Sequence, residues 1–262
     1  MPSGRSGRSY TPALLKNVPR DGYAWLSMRP LYVLLFLLPM MVLYELGSLK
    51  YLSDASRGTV ETIGARKILT QFFDTFGVAG YYLPPLVLSS VLLTWHMLER
   101  DKWKVQPTVL LGMLLESVLW MLPILVFGQL VGSHPSIGAP PPDLASHTWQ
   151  AKVTLALGAG IYEESLFRLV LFTAVHFVVV DLLKQSQNIG YVIAAMVSAL
   201  AFTLYHDVTL PSGGLALGKF LFFLGAGLYF AILFVLRGFG IAVATHAFYD
   251  ILVLNLLSRQ MG

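Results

Sequence analysis

The chain has 262 residues, 56% of them hydrophobic and only 12% charged, with a mean hydropathy of +0.68. A soluble domain carries about 25% charged residues, so this sequence has too few polar side chains to cover a water-facing surface. That excludes an ordinary soluble enzyme and a disordered chain. The absence of cysteine excludes a disulfide scaffold, a thiolate nucleophile and a Cys-ligated metal. What remains is an all-α, polytopic membrane protein.

The net charge of +4 lies entirely in residues 1–29, where Arg5, Arg8, Lys16, Arg20 and Arg29 stand against Asp21 alone. Such an arm can bind nucleic acid. Next to a first span it reads instead as a cytoplasmic retention signal, with no nucleic-acid partner. It is unlike a cleaved signal peptide: the first apolar run starts only at Pro30 and meets Glu45 with no small-residue cleavage site. We therefore expect a protein of the plasma (inner) membrane with a cytoplasmic N-terminus.

A span needs about 20 mostly apolar residues. The first runs from Pro30 to about residue 49. Residues 50–77 are mixed, and GARKILTQFFDTF within them reads as an amphipathic helix lying in the interface. Spans follow at about 79–98 and 107–132, separated by the charged stretch ERDKWK (99–104). The loop 132–147 is rich in Pro, Gly and Ser and has no Lys or Arg, so it should face out. The four basic residues in 50–77 sit awkwardly on that same outer side.

From Trp149 to Lys184 the chain is largely apolar again. As one helix this stretch would be about 54 Å long, against a bilayer core of about 30 Å. It is either one protruding rod or two short spans. Further spans fall at about 189–206, 215–236 and 239–257, for a total of seven or eight. The organisation is a basic arm (1–29), N-terminal transmembrane helices (30–149), a second transmembrane core (150–257) and a short tail (258–262). Gly158, Gly160, Gly225 and Gly227 suit close helix packing, as does a GxxxG at Gly214 and Gly218.

Three polar clusters interrupt the apolar second half: Glu163-Glu164-Ser165-Leu166-Phe167-Arg168, Phe202-Thr203-Leu204-Tyr205-His206 and His246-Ala247-Phe248-Tyr249-Asp250. Charges deep in a span cost a few kcal/mol and usually mark function. Adjacent helical residues point about 100° apart, so Glu163 and Glu164 cannot serve one spot. Glu164 and Arg168 are spaced i, i+4 in the favoured order for an ion pair, which leaves Glu163 free. A free carboxylate in a desolvated site suits proton abstraction from water. His246 and Asp250, also i, i+4, can fix an imidazole tautomer or approach one ligand together. The bland reading is a set of helix-anchoring ion clusters. Three of them in three segments, supplying Glu, His, His and Asp, are instead the parts of a hydrolase. No HExxH occurs. Glu45 and Glu116 should face the bundle interior.

The series EESLFR (163–168), FTLYH (202–206) and HAFYD (246–250) resembles the pattern EExxxR, FxxxH and HxxxN or HxxxD of the Abi family, the CAAX protease and bacteriocin-processing intramembrane endopeptidases. The resemblance covers roughly residues 150–255. It implies a helical membrane fold around a conical, water-filled cavity and a peptide or protein substrate at the lipid bilayer. It also implies that Glu163 and His206 activate water, that Glu164 and Arg168 support them, and that His246 and Asp250 serve the oxyanion. Where relatives have Asn at position 250, an amide N–H can donate to an oxyanion. An ionised Asp250 cannot, and is expected to orient His246 or help hold a cation. Leu169 departs from the small residue common after the arginine.

By donor type Glu163, His206, His246 and Asp250 also make a two-His, two-carboxylate zinc shell. The working expectation is the scheme without a cofactor, in which Glu163 and His206 polarise water directly. Two other classes use the same buried groups: an ion-coupled transporter, which should show an inverted repeat, and a non-catalytic immunity or scaffold protein.

Overall fold

A computed structural model describes residues 19–54, 59–60, 62–77, 80, 82–131, 147–210 and 212–255. Most of the basic arm, nearly all of the 132–147 loop and the C-terminal tail lie outside the described residues. The described chain is helical apart from a two-rung antiparallel ladder, Ser53 with Val60 and Asp54 with Thr59. Its helices are α1 (Tyr23–Leu26), α2 (Pro30–Tyr51), α3 (Gly64–Thr75), α4 (Leu83–Glu99), α5 (Pro107–Val131), α6 (Trp149–Leu182), α7 (Gln187–Tyr205), α8 (Leu217–Arg237) and α9 (Phe239–Asn255). Prolines open α2 and α5, where a missing N–H costs nothing.

Five of these helices, α2, α5, α6, α7 and α8, are long and apolar enough to cross a membrane. Helix α9 is apolar but has 17 residues. Outward-facing side chains are large and apolar: Leu43, Leu46, Leu119, Val192 and Leu204 are each about half or more exposed. A soluble monomer does not carry so much apolar surface, and lipid is the solvent that suits it. This is an integral membrane protein.

The long apolar segment is a single rod, α6. Two stretches of it, Ser165–Phe172 and Val178–Leu182, have π-helical geometry. Widened turns leave backbone groups open to partners outside the helix, and Ser198 of α7 donates to the carbonyl of Phe167 at 2.8 Å. Thr148 caps the start of α6 by accepting from the Ala151 N–H. From Thr154 to Ser165 every residue is buried, which makes α6 the central helix. Small residues permit this. A Cβ on Gly160 would stand 2.6 Å from the Val243 carbonyl oxygen and 2.8 Å from the Ala247 Cβ, so α6 and α9 touch backbone to backbone. Gly158, Gly225 and Gly227 give the same close approach to Tyr44, Phe127 and Ala199.

The GxxxG expectation is corrected. Gly214 is not helical: at φ +87° it sits in the turn before α8, with open space where its Cβ would be. Only Gly218 of the pair lies in α8.

Ion pairs define one end of the bundle. Arg29 pairs with Glu99 at 3.0 Å and with Asp101, joining the start of α2 to the end of α4. Arg237 pairs with Glu116 and donates to Ser27 at 3.1 Å, bringing the end of α8 to the same place. Gly238, at φ +82°, turns the chain from α8 into α9 within one residue, a conformation that glycine adopts at little cost. At the opposite end Leu52, Ala151 and Leu155 pack together with Ile63, beside α3. Helix α3 lies where the amphipathic helix was expected. It buries Ala65 and Arg66 and exposes Ile68 and Phe72.

Candidate active site

Three helices bring the three clusters together. The middle of α6 supplies Glu163, Glu164 and Arg168; the end of α7 supplies His206; α9 supplies His246 and Asp250. Glu163 Oε2 lies 3.8 Å from His206 Nε2 and 3.8 Å from His246 Nε2. That is too long for a direct hydrogen bond. One water with bonds of about 2.8 Å to each group would span such a gap. Among the described residues Glu163 Oε2 is buried without a hydrogen-bond partner.

The two imidazoles are held in different ways. His206 caps α7 with extended backbone (φ −87°, ψ 154°), so its ring turns back on the helix end. Its Nδ1 lies 2.8 Å from the Phe202 carbonyl oxygen. A carbonyl only accepts, so Nδ1 carries the proton and Nε2 presents a lone pair towards Glu163. His246 Nδ1 lies 2.8 Å from Glu164 Oε1, and its Nε2 is 3.6 Å from Asp250 Oδ2.

Glu164 therefore has two partners. The expected pair with Arg168 is present, Nε to Oε2 at 3.1 Å, with both side chains fully buried. The second oxygen holds His246. A buried ion pair needs such further bonds to offset desolvation. Arg168 gains others: it donates to the Gly227 carbonyl at 3.1 Å, and its guanidinium lies 4.6 Å from the centre of the Phe202 ring.

Two residues without any motif complete the arrangement. Phe223 stacks on His206 at 4.0 Å and Phe230 stacks on His246 at 4.7 Å, both nearly parallel. They stand seven residues apart on one face of α8 and fix both ring planes from one side. The only sequence signal was that spacing in an already apolar helix. Glu45 and Glu116 stay apart from this cluster. Glu45 pairs with Arg66 and accepts from Tyr162. Glu116 pairs with Arg237 and accepts from Tyr23 and Trp120.

The members differ in access. Glu163 and His246 are about 95% buried, whereas the side chains of His206 and Asp250 are 21% and 25% exposed. Asp250 stands one turn farther along α9 from Gly238 than His246 does. The two more exposed members thus lie towards the end away from the Arg29 ion pairs. Among the described residues no group of three or more His, Asp and Glu side chains is arranged to hold a metal ion.

A lipid-facing helical bundle with a buried Glu, two oriented imidazoles and a neutralised second carboxylate defines the class: a membrane-embedded protein with a buried Glu–His cluster. The family follows from the sequence of that same region. Residues 145–252 match the family described as Type II CAAX prenyl endopeptidase Rce1-like, the resemblance that the three motifs indicated. No curated protein and no solved structure matches the chain.

Proposed function

We propose that the protein is an intramembrane endopeptidase that hydrolyses a peptide bond with water activated by Glu163 and His206. The supporting observation is the unpartnered Glu163 Oε2 placed 3.8 Å from both imidazole Nε2 atoms. Water seated there donates one hydrogen to Glu163 and the other to the His206 lone pair. Glu163 removes a proton as the oxygen attacks the carbonyl carbon, and later delivers it to the leaving amine. His246, with Nδ1–H held by Glu164, in its doubly protonated form directs Nε2–H at the oxyanion. Asp250 Oδ2 lies 3.6 Å from that nitrogen. Arg168 fixes Glu164, and through it the His246 ring plane. No step is routed through a metal.

The substrate is a peptide or protein segment at the bilayer. The two apolar 17-residue helices, α4 and α9, complete seven spans with α6 counted once, and a polar cavity opens over His206 and Asp250. With the basic arm cytoplasmic, the site opens towards the opposite leaflet, and the scissile bond enters from that side. The test compares peptide fragments in membranes carrying the wild type and Glu163→Ala. Fragments that vanish in the variant at equal expression support the reading; an unchanged fragment pattern overturns it.

A further inference from the structure

The connection between α4 and α5 takes no part in the chemistry above. It lies at the end of the bundle where Arg29 pairs with both Glu99 and Asp101. Glu99 also accepts from the Trp95 indole at 3.3 Å. Both carboxylates are therefore answered from within the protein. The cations interleaved with them, Arg100, Lys102 and Lys104, are exposed. Among the described residues none of these three side chains has a hydrogen-bond or ion-pair partner.

The neighbours of these charges put them at the level of lipid headgroups. Leu98, in the last turn of α4, is 76% exposed, as a side chain facing hydrocarbon would be. Trp103 is 65% exposed and stands edge-on against the buried His96 at 4.4 Å, so its ring is held in place. Indoles collect where hydrocarbon meets headgroups. Arg100 ends α4 in the left-handed conformation, at φ 53°. Glycine takes that conformation at less cost, so a cation stands where backbone geometry alone favours glycine. The dipole of α4 accounts for one cation at its C-terminus. It does not account for Lys102 and Lys104, which lie beyond the last turn, where that field has faded.

We propose that Arg100, Lys102 and Lys104, with Trp103 among them, form a binding site for the headgroup of an anionic phospholipid in the leaflet at this end of the bundle. The acyl chains lie along Leu98, and the phosphate meets three cations that have no competitor within the protein. A zwitterionic headgroup brings its own cation and gains little there. The site is independent of peptide cleavage.

The test uses the full chain in phosphatidylcholine vesicles doped with lipid brominated on its acyl chains. The emission of Trp103 is read as the difference between the wild type and Trp103→Phe. Brominated phosphatidylglycerol should quench it at a mole fraction about tenfold lower than brominated phosphatidylcholine, since each basic side chain at the surface favours an anionic lipid by roughly fivefold before salt screening. The preference should fall stepwise in Lys102→Gln and Lys104→Gln, and vanish when both are combined with Arg100→Gln. Lys184→Gln, just past the end of α6, should keep it. Equal quenching by the two lipids in the wild type overturns the proposal, as does a preference that survives the triple substitution. Loss of the preference in millimolar inorganic phosphate also overturns it and marks a site for free anions instead.

Discussion

Gly160→Ala separates helix spacing from the chemistry of the reacting groups. The added Cβ would stand 2.6 Å from the Val243 carbonyl oxygen, 2.8 Å from the Ala247 Cβ and 2.9 Å from the Ala247 nitrogen. Two of these three neighbours are backbone and cannot turn aside. Ordinary contact begins near 3.4 Å, so α6 and α9 must part by about 0.8 Å, an overpacking that costs roughly 1–3 kcal/mol. His246 lies between Val243 and Ala247, and Glu163 lies one turn from Gly160. The 3.8 Å gap between Glu163 and His246 would therefore widen to about 4.6 Å. A misplacement of about 1 Å can cost on the order of 100-fold in rate. Cleavage by purified protein in proteoliposomes should fall by one to two orders of magnitude, with all six polar residues still present. Wild-type turnover together with unaltered thermal unfolding would refute the claim that this contact sets the geometry.

Other consequences follow from the same structure. Arg168→Ala leaves Glu164 buried without its ion-pair partner and should destabilise the protein by about 3–5 kcal/mol, read as thermal unfolding in detergent. Arg168→Ala with Glu164→Ala should be milder than Arg168→Ala alone. Phe223→Leu and Phe230→Leu remove the ring stacking but little volume, so kcat should fall several-fold with less than about 1.5 kcal/mol of lost stability. The chain lacks cysteine, so single cysteines report topology without background. Gly213→Cys should react with an impermeant maleimide from the non-cytoplasmic side and Lys184→Cys only after permeabilisation; the reverse pattern would invert the proposed orientation. Treatment with chelator should leave cleavage unchanged, and a stoichiometric zinc whose loss abolishes turnover would contradict the metal-free scheme.

The polar clusters were legible because buried charge is costly in an apolar segment, so Glu163, Arg168, His246 and Asp250 stood out without any structure. The i, i+4 spacing gave the Glu164–Arg168 pair for the same local reason. The second bond of Glu164, to His246, crosses from α6 to α9, and no spacing along the chain reports how two helices approach. Phe223 and Phe230 were hidden because aromatic residues in an apolar helix look like core or lipid contacts until a partner ring is seen. Gly214 misled because a four-residue spacing matters only inside a helix, and that residue lies before α8 begins. The rod α6 could not be told from two spans, since its π-helical turns have no signature in residue type. The hydrogen bond from the Ala65 N–H to the Tyr205 hydroxyl joins residues 140 apart and was equally invisible.

The most direct test is Glu163→Gln, which keeps the shape of the side chain and removes its basicity. With a peptide that the wild type cleaves in proteoliposomes, the variant should bind the peptide normally and release no fragments. Full cleavage by Glu163→Gln would contradict the assignment of that carboxylate as the group that takes the proton from water.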